Sequence, residues 1–159
     1  MDNNRLETGF DSNDVMAYIL GVCEQNKIAW NLTKAQKLLY CCYGTILAAF
    51  NERLTEEAPQ AWQYGPVFPR TFNGLRKGRI TPGLDNGFSN RCNPQWLPLL
   101  QETIKLFGKY TASQLSTWSH KPGSPWSKAT HGGEDLQVQI PAEFIREYFT
   151  PLILRTQNA

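Results

Sequence analysis

One segment decides what the rest of this chain must do. From Thr33 to Phe50 the sequence predicts a helix whose apolar residues, Leu38, Leu39, Cys42, Tyr43, Ile46, Leu47 and Phe50, fall on nearly every side. A surface helix shows a single apolar stripe, whereas one that is apolar all round has to be enclosed. Lipid cannot be the enclosure. The apolar stretch from Leu38 to Phe50 is interrupted by Gly44 and Thr45, and it falls well short of the about 20 residues that a membrane span needs. Other helices of the same chain must therefore surround it. Thr33-Lys34-Ala35-Gln36 reads as a capping box that opens this central helix. Gly44 weakens helix propensity by about 1 kcal/mol relative to Ala, and it is read as the site of a close helix crossing.

The remaining sequence supplies amphipathic pieces for the task. Asp11 or Ser12 caps a helix running to about Gln25, with Val15, Ile19 and Val22 on one face. Pro66 or Pro69 opens another, carrying Phe68, Phe72 and Leu75 and ending at Gly78. Asn93-Pro94 reads as N-cap and first residue of a helix with Leu97, Leu100, Ile104 and Phe107, its first turn disturbed by Pro98. Thr111–Gln114 is a second capping box, leading through Leu115 and Trp118. Pro125 starts a short turn of helix through Trp126 and Ala129, and Ile140-Pro141 precedes a final helix that Pro151 kinks or divides. Gln60–Tyr64 alternates and is read as extended, with Trp62 and Tyr64 on one face and Gly65-Pro66 as its end; Gln137–Ile140 is the other candidate strand. Arg79–Asn93, rich in Gly, Asn, Pro and Ser, reads as a surface loop. The fold class expected is mainly α: one compact single-domain bundle of six or seven helices with at most a small β-hairpin. The domain is placed at residues 11–155, with a flexible arm at 1–10 and a tail at 156–159. A chain of 159 residues suits one such domain, which buries roughly 70% of its unfolded surface without staples.

Charge and chemistry exclude several functions. Sixteen basic and 14 acidic residues leave a net charge of +2, too little for a dedicated polybasic nucleic-acid binder. No helix-turn-helix recognition pattern is visible either, so nucleic acid is disfavoured as a partner. Met1–Glu7 is polar and contains acid, unlike a signal peptide. The four cysteines, Cys23, Cys41, Cys42 and Cys92, lack any CxxC spacing and are read as buried free thiols of a cytoplasmic protein. Of the two histidines, His131 lies in a glycine loop, and His120 follows Ser119. Neighbours in a helix project about 100° apart, so these two make a poor dyad. His120 is read instead as closing a helix end. The HExxH, Gly-x-Ser-x-Gly and phosphate-loop signatures are missing. Neither enzyme activity nor a cofactor or metal is expected. A local basic excess does stand out: Arg70, Arg76, Lys77, Arg79 and Arg91 against Asp85 alone between Pro66 and Pro94.

Two aromatic-proline clusters are more distinctive, Trp62-Gln63-Tyr64-Gly65-Pro66-Val67 and Ser119-His120-Lys121-Pro122-Gly123-Ser124-Pro125-Trp126. Each sets a large ring beside a rigid turn. Taken with Lys34-Ala35-Gln36-Lys37-Leu38-Leu39-Tyr40 and Leu115-Ser116, they resemble, in order, the motifs of the Panacea domain, the SocA-like antitoxin family often grouped with phage-associated GepA proteins. The resemblance covers about residues 13–150. Ser119 stands where the family usually has Thr, Phe72 where it often has Tyr, and residues 79–95 do not align. The resemblance implies a non-enzymatic antitoxin, carried on a phage or other mobile element, that neutralises a co-encoded toxin by direct binding. It also implies an alternative, a proteolytic adaptor that hands a toxin or other client to a protease; a hydrolase using His120 is the weaker rival. The motif residues Lys37, Leu38, Tyr40, Trp62, Tyr64, Gly65, Pro66, Val67, His120, Ser124, Pro125 and Trp126 would form the shared scaffold. Partner choice is assigned to Arg70, Arg76, Lys77, Arg79 and Arg91. The partner set is thus a cognate protein toxin, a protease in the adaptor reading, and a second copy if the chain is a homo-oligomer, with no membrane.

Overall fold

The structure, a computed structural model, describes residues 9–157, with side chains as far as Ile153. Of the expected arm and tail, residues 1–8 and 158–159 lie outside the described residues. Phe10 is already buried, and its backbone bridges to Thr55.

Helix α1 (Ser12–Gln25) starts at Asp11, whose carboxylate accepts from the backbone N–H groups of Asn13 and Asp14. Helix α2 (Leu32–Phe50) is the enclosed one, and every residue from Lys34 to Leu47 is buried. Its start departs from the capping-box reading. The cap is Asn31, which accepts from the N–H of Lys34 at 2.9 Å. Gln36 does not reach back along its own helix. Its side chain crosses to the start of helix α3 (Pro69–Arg76), accepting from Phe68 N at 2.7 Å and donating to Thr71 Oγ1 at 2.9 Å. An Asn two residues upstream offers the same acceptor as Thr33, which frees a buried amide for groups that nothing else would satisfy.

Helices α4 (Trp96–Phe107), α5 (Ala112–Ser119), α6 (Pro125–Ala129) and α7 (Ala142–Gln157) complete the shell. The capping box of α5 is complete, and Ser124 caps α6 by accepting from Ser127 N at 3.1 Å. Helix α4 begins two residues later than Asn93-Pro94 suggested. Asn93 folds into a turn in which its side chain accepts from Gln95 N, and Pro98 falls in the first helical turn, where no N–H is needed. Helix α7 continues through Pro151 and packs on α2 more extensively than any other element. At Gly44 the two helices meet as the glycine predicts: a methyl group there would lie 2.3 Å from the Phe149 ring.

Strands β1 (Gln60–Trp62), β2 (Gly65–Val67) and β3 (Val138–Gln139) form an antiparallel sheet in the order β2-β1-β3. Gly65-Pro66 therefore does not end the extended segment but forms its partner, with Ala61 facing both Pro66 and Val138. Proline is tolerated because β2 is an edge strand. Only Trp62 belongs to β1; Tyr64 lies in the turn where the chain reverses. The stretch from Arg79 to Asn93 is irregular, as expected, yet it is no mere surface loop. Phe88 is fully buried with its ring centroid 5.2 Å from Phe10 and 5.7 Å from Tyr18, and Gly83 N donates to Ala17 O. Among the described residues the architecture is mainly helical, with seven helices and one small sheet. All four cysteines are free and buried, and burial pushes the Cys23 thiol up to about 11.

Candidate functional site

The residues Gln63 and Tyr64 turn the chain from β1 into β2. Gly65 follows with φ +116°, a left-handed conformation that favours glycine, and a Cβ there would lie 2.5 Å from Ser119 Oγ and 2.8 Å from Lys37 Cε. Around this turn the two aromatic-proline clusters meet. Three successive carbonyls are held by three different side chains. Trp126 Nε1 donates to Trp62 O at 2.7 Å across a separation of 64 residues, His120 Nε2 lies 2.7 Å from Gln63 O, and Ser116 Oγ donates to Tyr64 O at 2.7 Å. From the other side Lys37 Nζ donates to Pro66 O at 3.1 Å. The carbonyls of this turn thus point inward to partners, while the Tyr64 side chain points out.

His120 is fixed on three sides. Its Nδ1 lies 2.5 Å from Ser116 O, its Nε2 faces Gln63 O, and its ring meets the Trp126 ring edge-on at 4.3 Å. Carbonyl oxygens only accept, so a ring carrying one proton can donate to one of them at a time. Both nitrogens are occupied by backbone, and Ser119 Oγ donates to Ser116 O at 2.8 Å rather than to the imidazole. Of the other motif residues, Leu38 and Tyr40 lie in the core, where the Tyr40 ring meets Phe149 and Trp118. Val67, Ser124, Pro125 and Trp126 are buried around the sheet and α6. Lys37 is 1% exposed. Burial lowers its ammonium to about 8, and among the described residues no carboxylate lies within ion-pair distance.

A cleft of about 400 Å³ opens beside the turn, with Lys37 in its lining and Trp62, Tyr64, Val67, Phe72 and Leu136 as its walls. Trp62 and Phe72 pack ring to ring at 5.2 Å. Tyr64 at 67% and Leu136 at 42% exposed stand at the rim. Leu136 had no signal in the sequence, because it sits alone between Asp135 and Gln137. It arrives at the cleft because β3 joins β1, through Gln137 N donating to Ala61 O.

The five basic candidates are all exposed, but they do not act alike. Arg70 is engaged within the fold, 2.8 Å from Asp11 and 3.4 Å from Glu56. Arg91 folds back to donate to Gly87 O. Arg76 lies one helical turn beyond Phe72, on the same face of α3 as that cleft wall. Lys77 and Arg79 follow at the helix end. His131 pairs with Asp135 at 2.7 Å on the surface.

Residues 36–127, more than half of the chain, match the family described as Antitoxin SocA-like, Panacea domain. Among curated proteins the chain is similar to Antitoxin SocA of Caulobacter vibrioides (strain NA1000 / CB15N), 29% identical over 109 residues that cover 61% of this chain and 58% of that protein. The chain therefore spans less than two thirds of that relative's length. No solved structure matches.

Proposed function

This chain belongs to the SocA-like antitoxin family through its Panacea domain, and we propose that it is an antitoxin that neutralises a co-encoded toxin by binding it directly, without chemistry, in the cytoplasm of a bacterium carrying a phage or other mobile element. The observation that carries the reading is the fixed turn. Bonds from Trp126, Ser116 and Lys37, with His120 Nε2 against Gln63 O, hold the backbone of residues 62–66 so that Tyr64 is presented on a pre-ordered support. Tyrosine is enriched among residues that dominate binding energy, and an anchor already ordered loses little freedom on association. The cleft and rim beside it supply the apolar centre such an interface needs. Arg76, Lys77 and Arg79, continuing from the Phe72 face of α3, would extend it toward the total of about 1,600 Å² typical of specific complexes. Both nitrogens of His120 face carbonyls, which favours a binding role over a hydrolytic one. No helix among the described residues is long and apolar enough to cross a membrane.

Co-expression tests the reading. The neighbouring gene, expressed alone, should arrest growth, and this chain should restore growth and co-purify with the product as a stable complex. A neighbour that is harmless alone, or that stays lethal beside soluble antitoxin, defeats the reading. Rescue in which the toxin disappears only while a protease is active would assign the adaptor role instead.

A further inference from the structure

Holding the Pro66 carbonyl does not require a charge. A hydroxyl or amide would do so at a lower desolvation cost, yet the chain places the ammonium of Lys37 there, almost wholly out of water. Lys34, one turn earlier, makes a useful contrast. It too is buried, but its Nζ donates to Gly108 O at 2.8 Å, at the C-terminal end of α4, where the helix dipole is negative. Lys37 has neither a helix end nor, among the described residues, a carboxylate within ion-pair distance, and burial keeps the neighbouring Cys41 thiol protonated. The cleft it lines has aromatic, aliphatic, hydroxyl and amide walls but no acid. The first turn of α2, which reaches the cleft at Thr33, carries no acid either. The site is therefore positive, largely apolar and without a counter-ion.

We propose that this cleft receives an acidic side chain of the bound toxin, with Lys37 as its counter-ion, Trp62 and Phe72 against its stem, and Tyr64 and Leu136 closing over it. The inference rests on the antitoxin reading and names the chemistry of the contact. The fold already bears the cost of burying the cation, so the incoming carboxylate adds only its own desolvation. Charge complementarity of this kind also rejects a segment that presents Lys or Arg at the same place.

Two measurements test it. In the free protein, 3-phenylpropionate serves as the probe and 3-phenylpropanamide as its neutral counterpart, with the side-chain signals of labelled lysines followed by NMR. The carboxylate should shift one lysine signal saturably, at least tenfold more tightly than the amide, and Lys37→Met should abolish that shift. In the complex, Thr33→Glu is the decisive variant. Thr33 is exposed at the second position of α2, where an acid suits the helix dipole, so the melting temperature should stay within about 2 °C of wild type or rise. Affinity for the toxin should nevertheless fall at least tenfold, while Thr33→Lys should bind no more weakly than wild type. Equal binding of amide and carboxylate, or unchanged toxin affinity in Thr33→Glu, overturns the proposal while leaving the antitoxin reading intact. A probe that titrates Lys37 in a protein that binds no toxin supports the chemistry of the cleft and overturns the antitoxin reading.

Discussion

Two stretches of this chain, the hairpin at residues 62–66 and the irregular residues 79–93, are fixed by opposite means. The first is held by its backbone: three carbonyls accept from side chains on α2, α5 and α6, a fourth faces His120 Nε2 at the end of α5, and the side chain of Tyr64 points out. The second is held by a side chain. Phe88 is driven into the core against Phe10, Tyr18 and Trp96, with the Gly83–Ala17 bond and the Asn86–Asp14 bond beside it. An apolar peg stabilises a loop but spends the aromatic ring inside. A polar clamp fixes the path of the chain and leaves its ring exposed. On the proposed reading, binding surface and stability are thus separable in the first region, whereas the second commits its ring to stability.

The sharpest way to break this contrast is Phe88→Ala. It should destabilise the protein by about 3–5 kcal/mol in urea unfolding, while leaving toxin affinity unchanged at temperatures where the protein stays folded. Loss of affinity there would mean that the two stretches are coupled. Lys37→Met probes the clamp through pH. Burial places the lysine at about 8, below its ordinary 10.5, so from pH 8 to 10.5 the unfolded chain binds more protons than the folded one. Wild-type stability relative to the variant should therefore rise across that window, by at most about 3.4 kcal/mol. Taking the difference between the two proteins cancels the buried thiols and phenols, which work in the opposite direction. A flat difference would place the lysine in water.

Trp126→Phe keeps a ring against His120 but leaves the Trp62 carbonyl without its donor. A loss of about 1–2 kcal/mol is expected, with hydrogen exchange accelerated around β1 and β2 and unchanged in residues 79–93. The smallest effect on stability belongs to Tyr64→Ala, within about 0.5 kcal/mol of wild type. Its toxin affinity should fall at least tenfold by titration calorimetry, and an unchanged affinity would remove the turn from the interface.

The parts of the fold legible in the sequence are those decided within a few residues. The start of α1 at Asp11 or Ser12, the capping box of α5, the Pro125 start of α6 and the small-residue crossing at Gly44 each depend on local chemistry or on periodicity. The misreadings come from competition, some of it from neighbours a few residues away and some from distant groups. Thr33 loses its capping role to Asn31 while Gln36 is drawn to Phe68 and Thr71, and Phe88 leaves its polar surroundings for rings on α1 and α4. The clamp itself consists of bonds between residues 29 to 64 positions apart. Motif resemblance grouped its members, but only their placement shows that they converge on four carbonyls, and Leu136 reaches the cleft by strand pairing that no periodicity signals.

The crossing of α7 over α2 at Gly44 also carries a consequence for biosynthesis. The enclosed helix is made well before α7, so the growing chain presents the side of α2 that α7 covers until Phe149 has been added. Translation halted before that point yields a chain that cannot shield α2, a form open to aggregation and proteolysis. A supply of working protein then depends on synthesis running past Phe149 in each copy.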